Sequence, residues 1–186
     1  MNENNLNHLK QKLQGLGILQ PAAWKQIISC LHFTHLNKGE SFFRHCGDFA
    51  WLSSGIFKEY NAYSRKKPAI INFLVSVDVV INRKLNMHHY LKACIESELY
   101  HIHLEDLIQL GLKFPELKAI YFSLCAEYDE GQEFKTLVLE EKSAQQRVAL
   151  LMHRYKAQLN FIAKKDLSNY VNLNYDHFCM IYAKLL

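Results

Sequence analysis

Ala50-Trp51-Leu52-Ser53-Ser54-Gly55-Ile56-Phe57-Lys58-Glu59-Tyr60 lies at the centre of a region, about Leu31 to Leu104, built of short apolar runs rich in Phe, Ile, Val and Tyr. Turn signals interrupt these runs at Asn37-Lys38-Gly39, Cys46-Gly47-Asp48 and Arg65-Lys66-Lys67-Pro68, spaced by roughly ten residues. Runs of this length with this punctuation predict antiparallel strands. The spacing suits a β-sandwich, barrel or jelly roll better than βαβ units.

On the N-terminal side, Leu6, Leu9 and Leu13 recur at helical spacing, Gly15-Leu16-Gly17 breaks the pattern, and Pro21 opens a second helix over Ala22 to Leu31. On the C-terminal side, a short helix is predicted from Leu104 to Leu112, then a long one from Pro115 to about Glu141. Along the long helix Leu117, Tyr121, Leu124, Tyr128, Gly131 and Val138 fall close to a 3.5-residue spacing. One helix cannot bury such a seam alone. It either crosses its own domain or meets the same helix of a second subunit, and its length favours a homodimer through Leu117, Tyr121, Leu124, Tyr128 and Gly131. Ser143 is placed to cap an amphipathic helix from Gln145 to Leu159. Two short helices, Lys165 to Val171 and Tyr175 to Leu186, then flank Asn172-Leu173-Asn174 at helix-turn-helix spacing.

The chain has 186 residues, 49% hydrophobic and 22% charged, which is ordinary globular composition and excludes intrinsic disorder. Its 22 basic and 18 acidic residues allow an anionic partner without requiring one. Five cysteines, Cys30, Cys46, Cys94, Cys125 and Cys179, with no Cys-x-x-Cys, fit reduced thiols in a cytoplasm. No signal peptide or membrane span is expected.

Specific residues resemble the catabolite-activator/Fnr (Crp/Fnr) family of regulators, as a divergent member. Leu36-Asn37-Lys38-Gly39-Glu40 looks like the family's first Lys-Gly-Glu turn, and the opening stretch resembles its strand, central glycine and outgoing strand. Ala93-Cys94-Ile95-Glu96-Ser97-Glu98-Leu99-Tyr100-His101-Ile102 looks like the strand that ends its β-roll. Ser143-Ala144-Gln145-Gln146-Arg147-Val148 resembles the Ser-Ala-x-x-Arg-Tyr lead into its DNA-binding domain, with Val148 in place of the aromatic. The resemblance implies an α+β chain. Residues 1–113 would form a double-stranded β-helix or jelly-roll sensor of the cyclic-nucleotide-binding kind, 114–141 a dimerisation helix, and 142–186 a helix-turn-helix module of winged-helix type with the wing short or absent.

In that family a Gly-Glu pair and a later Arg-Ser-Ala hold a cyclic nucleotide, the Glu on the ribose hydroxyl and the Arg on the phosphate. Here Val77 and Asp78 stand where Gly-Glu would be, and Met87-His88-His89 where the arginine triad would be. The missing charge-assisted pair is worth roughly 1.5 to 3 kcal/mol, so cyclic AMP is not the expected effector. Asp78, Arg83, His88 and Lys92 are the candidate ligand-binding residues for an unidentified small molecule. The recognition-helix Leu-Ser-Arg-x-Arg falls on Phe178-Cys179-Met180-Ile181-Tyr182, without either arginine. Each bidentate arginine carries roughly 1 to 3 kcal/mol of base discrimination. A DNA partner is therefore expected with weakened base readout, through Lys164 and Lys165 on phosphate and Asn174, His177, Tyr182 and Lys184 toward a groove.

His101-x-His103 on a strand puts both imidazoles on one face, as metal-binding barrels do, but His88, His89, His32 and His35 supply no diagnostic spacing, and no metal or other cofactor is expected. Gly-x-Ser-x-Gly, P-loop and Gly-x-Gly-x-x-Gly motifs are absent from the sequence. The expectation is a regulator rather than an enzyme, or else a ligand- or protein-interaction module that has lost nucleotide binding and specific DNA readout.

Overall fold

A computed structural model describes residues 3–43, 45–63, 66–81 and 88–185. Two helices lead in, α1 (Glu3–Leu16) and α2 (Pro21–Cys30). α1 buries Leu9 and Leu13 on one side, and Pro21 occupies the first turn of α2, where a missing N–H breaks no helical bond. Among the described residues eight strands follow: β1 (His32–Leu36), β2 (Ser41–Phe43), β3 (Phe49–Ser54), β4 (Ile56–Asn61), β5 (Ala69–Val75), β6 (Val79–Ile81), β7 (His89–Ala93) and β8 (Ser97–Ile102). They pair antiparallel in two four-stranded sheets, ordered β1-β8-β3-β6 and β2-β7-β4-β5. This is the expected jelly roll, closed over Leu36, Leu52, Phe57, Leu74, Leu91 and Leu99.

A single residue, Gly55, joins β3 to β4. Its φ of +95° favours glycine, and a Cβ there would lie 2.7 Å from the Cα of Ser97. The quoted stretch thus bends from one sheet to the other at the one point where only glycine fits.

The helical part comprises α3 (Leu104–Lys113), α4 (Leu117–Glu140), α5 (Ala144–Arg154), α6 (Lys164–Tyr170) and α7 (Tyr175–Leu185), with a short 3-10 turn at Leu159–Phe161. Ser143 caps α5 as its position predicts, its hydroxyl accepting from the Gln146 N–H at 3.4 Å. α5 stops at Arg154 rather than continuing to Leu159. There Tyr155 turns its ring into the core, edge-on to Phe73 at 5.3 Å and to Tyr170 at 5.9 Å between centroids.

α4 is the spine of the molecule. Its first turns bury Ile120 and Leu124 with α1, α2 and β3, Tyr128 meets the roll interior, and Val138 enters a third core. That third core joins Ile56, Ile70, Phe73 and Cys94 of the roll to Leu151, Tyr155, Leu167, Tyr170 and Phe178 of the C-terminal helices. The helix-turn-helix therefore packs directly on the sheet.

Candidate functional site

Alternation along β4 divides two environments. Ile56, Lys58 and Tyr60 face the C-terminal helices, whereas Phe57 and Glu59 face the roll interior and α4.

On the outer face, the Lys58 ammonium meets the Asp166 carboxylate of α6 at 2.5 Å, with the two side chains 13% and 17% exposed. Burial alone would lower the Lys58 pKa, but the hydrogen bond and charge of Asp166 outweigh it and leave it raised. Asn169, one turn further along α6, uses both ends of its amide: Oδ1 accepts from the Ile70 N–H at 2.8 Å and Nδ2 donates to the Pro68 carbonyl at 3.1 Å. The Lys135 ammonium lies 4.1 Å from the centre of the Tyr170 ring.

On the inner face, Glu59 is fully buried. It accepts from Tyr128 Oη at 2.7 Å and Gln132 Nε2 at 3.4 Å, both on α4, with His89 Nδ1 at 3.8 Å. Asn72, 5% exposed and paired with Glu59 across the strands, accepts from Tyr155 Oη at 3.2 Å. Gly131 of α4 comes so close that a Cβ there would sit 2.8 Å from Asn72 Nδ2. The side of the roll that faces α4 is thus occupied by the chain's own polar groups. Reading the sequence missed Glu59, Asn72 and Gln132, and weighed His89 only as a metal ligand. The available signal was a carboxylate alternating with the apolar Phe57.

Of the four expected ligand residues, Asp78, His88 and Lys92 are described, and these three lie on separate elements. Asp78 organises the β5–β6 turn, its Oδ2 accepting from the Val75 N–H at 2.7 Å; burial raises its carboxyl pKa, and that backbone bond partly opposes the rise. His88 is exposed, its ring 5.4 Å from that of Tyr63. Lys92 pairs with Lys58 across β7 and β4, on the face opposite Leu91 and Ala93 and so away from the interior. Arg83 and Met87 lie outside the described residues. Val77, at the family's glycine position, holds a φ of +73°.

The expected DNA-binding residues separate into two groups. Lys164, Lys165, Asn174, His177 and Lys184 are exposed, and Asn174 Oδ1 caps α7 by accepting from the Asp176 N–H at 2.9 Å. Tyr182 is only 6% exposed and belongs to the core with Phe178 and Ile181, so it does not project toward a groove. Residues 142–186 carry seven Lys or Arg and two Asp or Glu, against fifteen and sixteen in residues 1–141. The positive excess of the chain is confined to its last quarter.

The five positions expected at a subunit seam instead cover the chain's own roll. Leu117, Tyr121 and Leu124 pack with α1, α2 and β3, Tyr128 bonds Glu59, and Gly131 abuts Asn72. The apolar stripe is real: the roll covers it at Tyr128 and Gly131, while Leu117, Tyr121 and Leu124 also line an open apolar cavity. The outward side of α4 carries Phe122, 69% exposed, and Leu137, 50% exposed.

His32, His101 and His103 have ring centroids 5.1–5.2 Å apart, and Asp48 Oδ2 lies 3.4 Å from His103 Nδ1. Burial, then the neighbouring His103 and His32, lower the His101 pKa. Among the described residues no group of three or more His, Cys, Asp or Glu is placed to hold a metal. Among them also, no helix is long and apolar enough to cross a membrane.

The sequence matches no family model and no curated protein. Solved structures do resemble the chain. A protein described as a transcriptional regulator of the Crp/Fnr family from Eubacterium rectale is 16% identical, with a TM-score of 0.71 over 88% of this chain and 82% of that one. FixK2 from Bradyrhizobium japonicum is also 16% identical, with a TM-score of 0.70 over 83% and 84%. A cyclic nucleotide-binding domain containing protein from Listeria monocytogenes EGD-e is 14% identical, with a TM-score of 0.68 over 97% and 90%. At these identities the likeness is one of fold.

Proposed function

We propose that this chain, which has the fold of the Crp/Fnr regulators, is a homodimeric transcriptional regulator. In this reading the C-terminal helices hold DNA mainly by its phosphates, and the roll answers to an effector other than cyclic AMP. The observation that carries the reading is the segregation of charge: Lys164, Lys165 and Lys184 are exposed on a module with seven basic and two acidic residues. Such a surface neutralises phosphates with little sequence preference. With Tyr182 buried, Asn174, His177 and Lys184 are the exposed groups left to face a groove.

The test is a titration of duplex DNA over a range of salt. Affinity should fall steeply as salt rises, and Lys164→Gln with Lys165→Gln should lower the slope of log K against log salt by about 1 per lysine. DNA binding that is absent, or indifferent to salt, would refute the reading. For the dimer, the outward side of α4 from Phe122 to Leu137 is the remaining candidate seam. Glu130 and Glu133 are exposed between them, so like charges would approach across a two-fold axis, and association should strengthen with salt.

One observation favours a second reading, a ligand- or protein-interaction module that no longer reads DNA. The Lys58–Asp166 pair and the Asn169 bridge hold the helix-turn-helix against the roll. A folded dimer without DNA affinity would favour that reading.

A further inference from the structure

An apolar cavity of about 380 Å³ opens between the lead-in helices and the α3–α4 corner. Its wall includes Leu9, Leu13, Ile27, Leu107, Ile120 and Leu124, and its exposed rim is formed by Ile108, Leu112 and Phe122, the last of which also bounds the candidate dimer seam on α4. Lys118 is the one charged residue of the described lining. It is exposed, and among the described residues no carboxylate pairs with it. At Gly111, which also lines the cavity, a Cβ would meet nothing within 4 Å, so the space beside α3 is open.

We propose that this cavity binds the hydrocarbon tail of a small amphipathic carboxylate, a fatty-acid-like molecule, whose head group lies against Lys118 at the mouth. Three features point to that chemistry together. The wall offers almost no hydrogen-bonding group, which rejects a nucleotide or sugar and suits an alkyl chain. A single cation stands where the chain would emerge, which selects an anionic over a neutral head. By the scale on which roughly 150 Å³ holds a benzene ring, the volume takes a chain of about ten to fifteen carbons. The site is separate from the Glu59 network inside the roll, and the inference stands whether or not the chain binds DNA.

The experiment is calorimetric titration of the full chain with saturated carboxylates of six to sixteen carbons, each below its micelle concentration. Affinity should rise about fourfold per methylene and level off once the cavity is full. Gly111→Leu fills the open space on a helix that prefers leucine to glycine. It should cut affinity by more than about tenfold without lowering the melting temperature of the free protein. Lys118→Ala should weaken carboxylates about fivefold and leave the matching alcohols unchanged. Three results would each overturn the proposal: no saturable binding, equal binding by Gly111→Leu, or affinity still rising at sixteen carbons, which marks adsorption to a surface. So would a dimer, by sedimentation, that Phe122→Ala dissociates and that takes up no carboxylate, because a second copy would then be the occupant.

Discussion

Val77→Gly should make the protein more stable, an unusual outcome for a substitution to glycine. Val77 has a φ of +73°, in the left-handed region where a β-branched residue is a genuine outlier. Its backbone is held there by hydrogen bonds on both sides: Val77 N–H donates to the Leu52 carbonyl at 2.8 Å, and Asp78 N–H to the Val75 carbonyl at 3.0 Å. Strain of this kind costs of order 1–3 kcal/mol, and branching at Cβ places valine in the upper part of that range, about 2–3 kcal/mol. Against the relief stand about 1 kcal/mol for the extra freedom of glycine in the unfolded chain and about 0.5 kcal/mol of lost burial. The burial loss is small because Val77 is already 49% exposed. The net gain is about 1 kcal/mol, a rise in melting temperature of about 2–4 °C for a chain of this size. Scanning calorimetry and urea unfolding of Val77→Gly beside Val77→Ala measure it. Alanine keeps a Cβ and so most of the strain, and should change stability by less than about 0.5 kcal/mol. A loss of about 1 kcal/mol or more in the glycine variant would refute the reasoning, since it would mean that no left-handed strain is present to relieve.

Other groups respond to pH, to alkylation or to loss of one hydrogen bond. The Lys58 pKa is raised in the folded chain, so the stability it lends with Asp166 is complete below the ordinary lysine value of 10.5 and is lost as pH rises through the folded value. Urea midpoints should therefore decline above about pH 10.5 and do so less in Lys58→Met. For His101 the pKa is lowered, so its contribution is present above 6.5 and is lost as pH falls through the folded value. His101→Gln, beside His32, His103 and Asp48, should flatten stability between pH 7 and 5. Burial pushes the Cys94 thiol up to about 11, so at pH 8 iodoacetamide should label Cys30, Cys46 and Cys179 well before Cys94, as read by peptide mass spectrometry. Tyr128→Phe removes a donor to the buried Glu59 carboxylate and should cost about 1–3 kcal/mol in urea unfolding, with any loss under 0.5 kcal/mol contradicting the network.

The strands, the Gly55 bend, the Ser143 cap and the helix-turn-helix spacing were all legible because each rests on local chemistry: alternation, a turn residue, a hydroxyl before an amphipathic run. What fills a face was harder to read. A 3.5-residue stripe on α4 reports that something apolar covers it, and a dimer partner and the chain's own roll leave the same mark on the sequence. Tyr182 shows the opposite error. Its spacing from Phe178 and Ile181, at four and one residues, places it on the inward side of α7, yet a tyrosine on a recognition helix invites a role in binding. Glu59 belongs to no motif, and only strand alternation, which sends it to the side opposite Lys58, marks it as inward-facing. Lys92 follows the same rule, between the buried Leu91 and Ala93.

The Asn169 bridge has a consequence for solubility. β5 ends its sheet, and a terminal strand with bare N–H and carbonyl groups recruits strands from other molecules. Asn169 covers that flank at Ile70 and Pro68 while belonging to the helices that carry the positive charge. Any excursion that swings those helices outward also uncovers the flank. Two molecules caught in that excursion can join strand to strand, so the liberty of the basic module and the tendency to aggregate rise together. The Asn169 amide, the Lys58–Asp166 pair and the shared core together hold both in check.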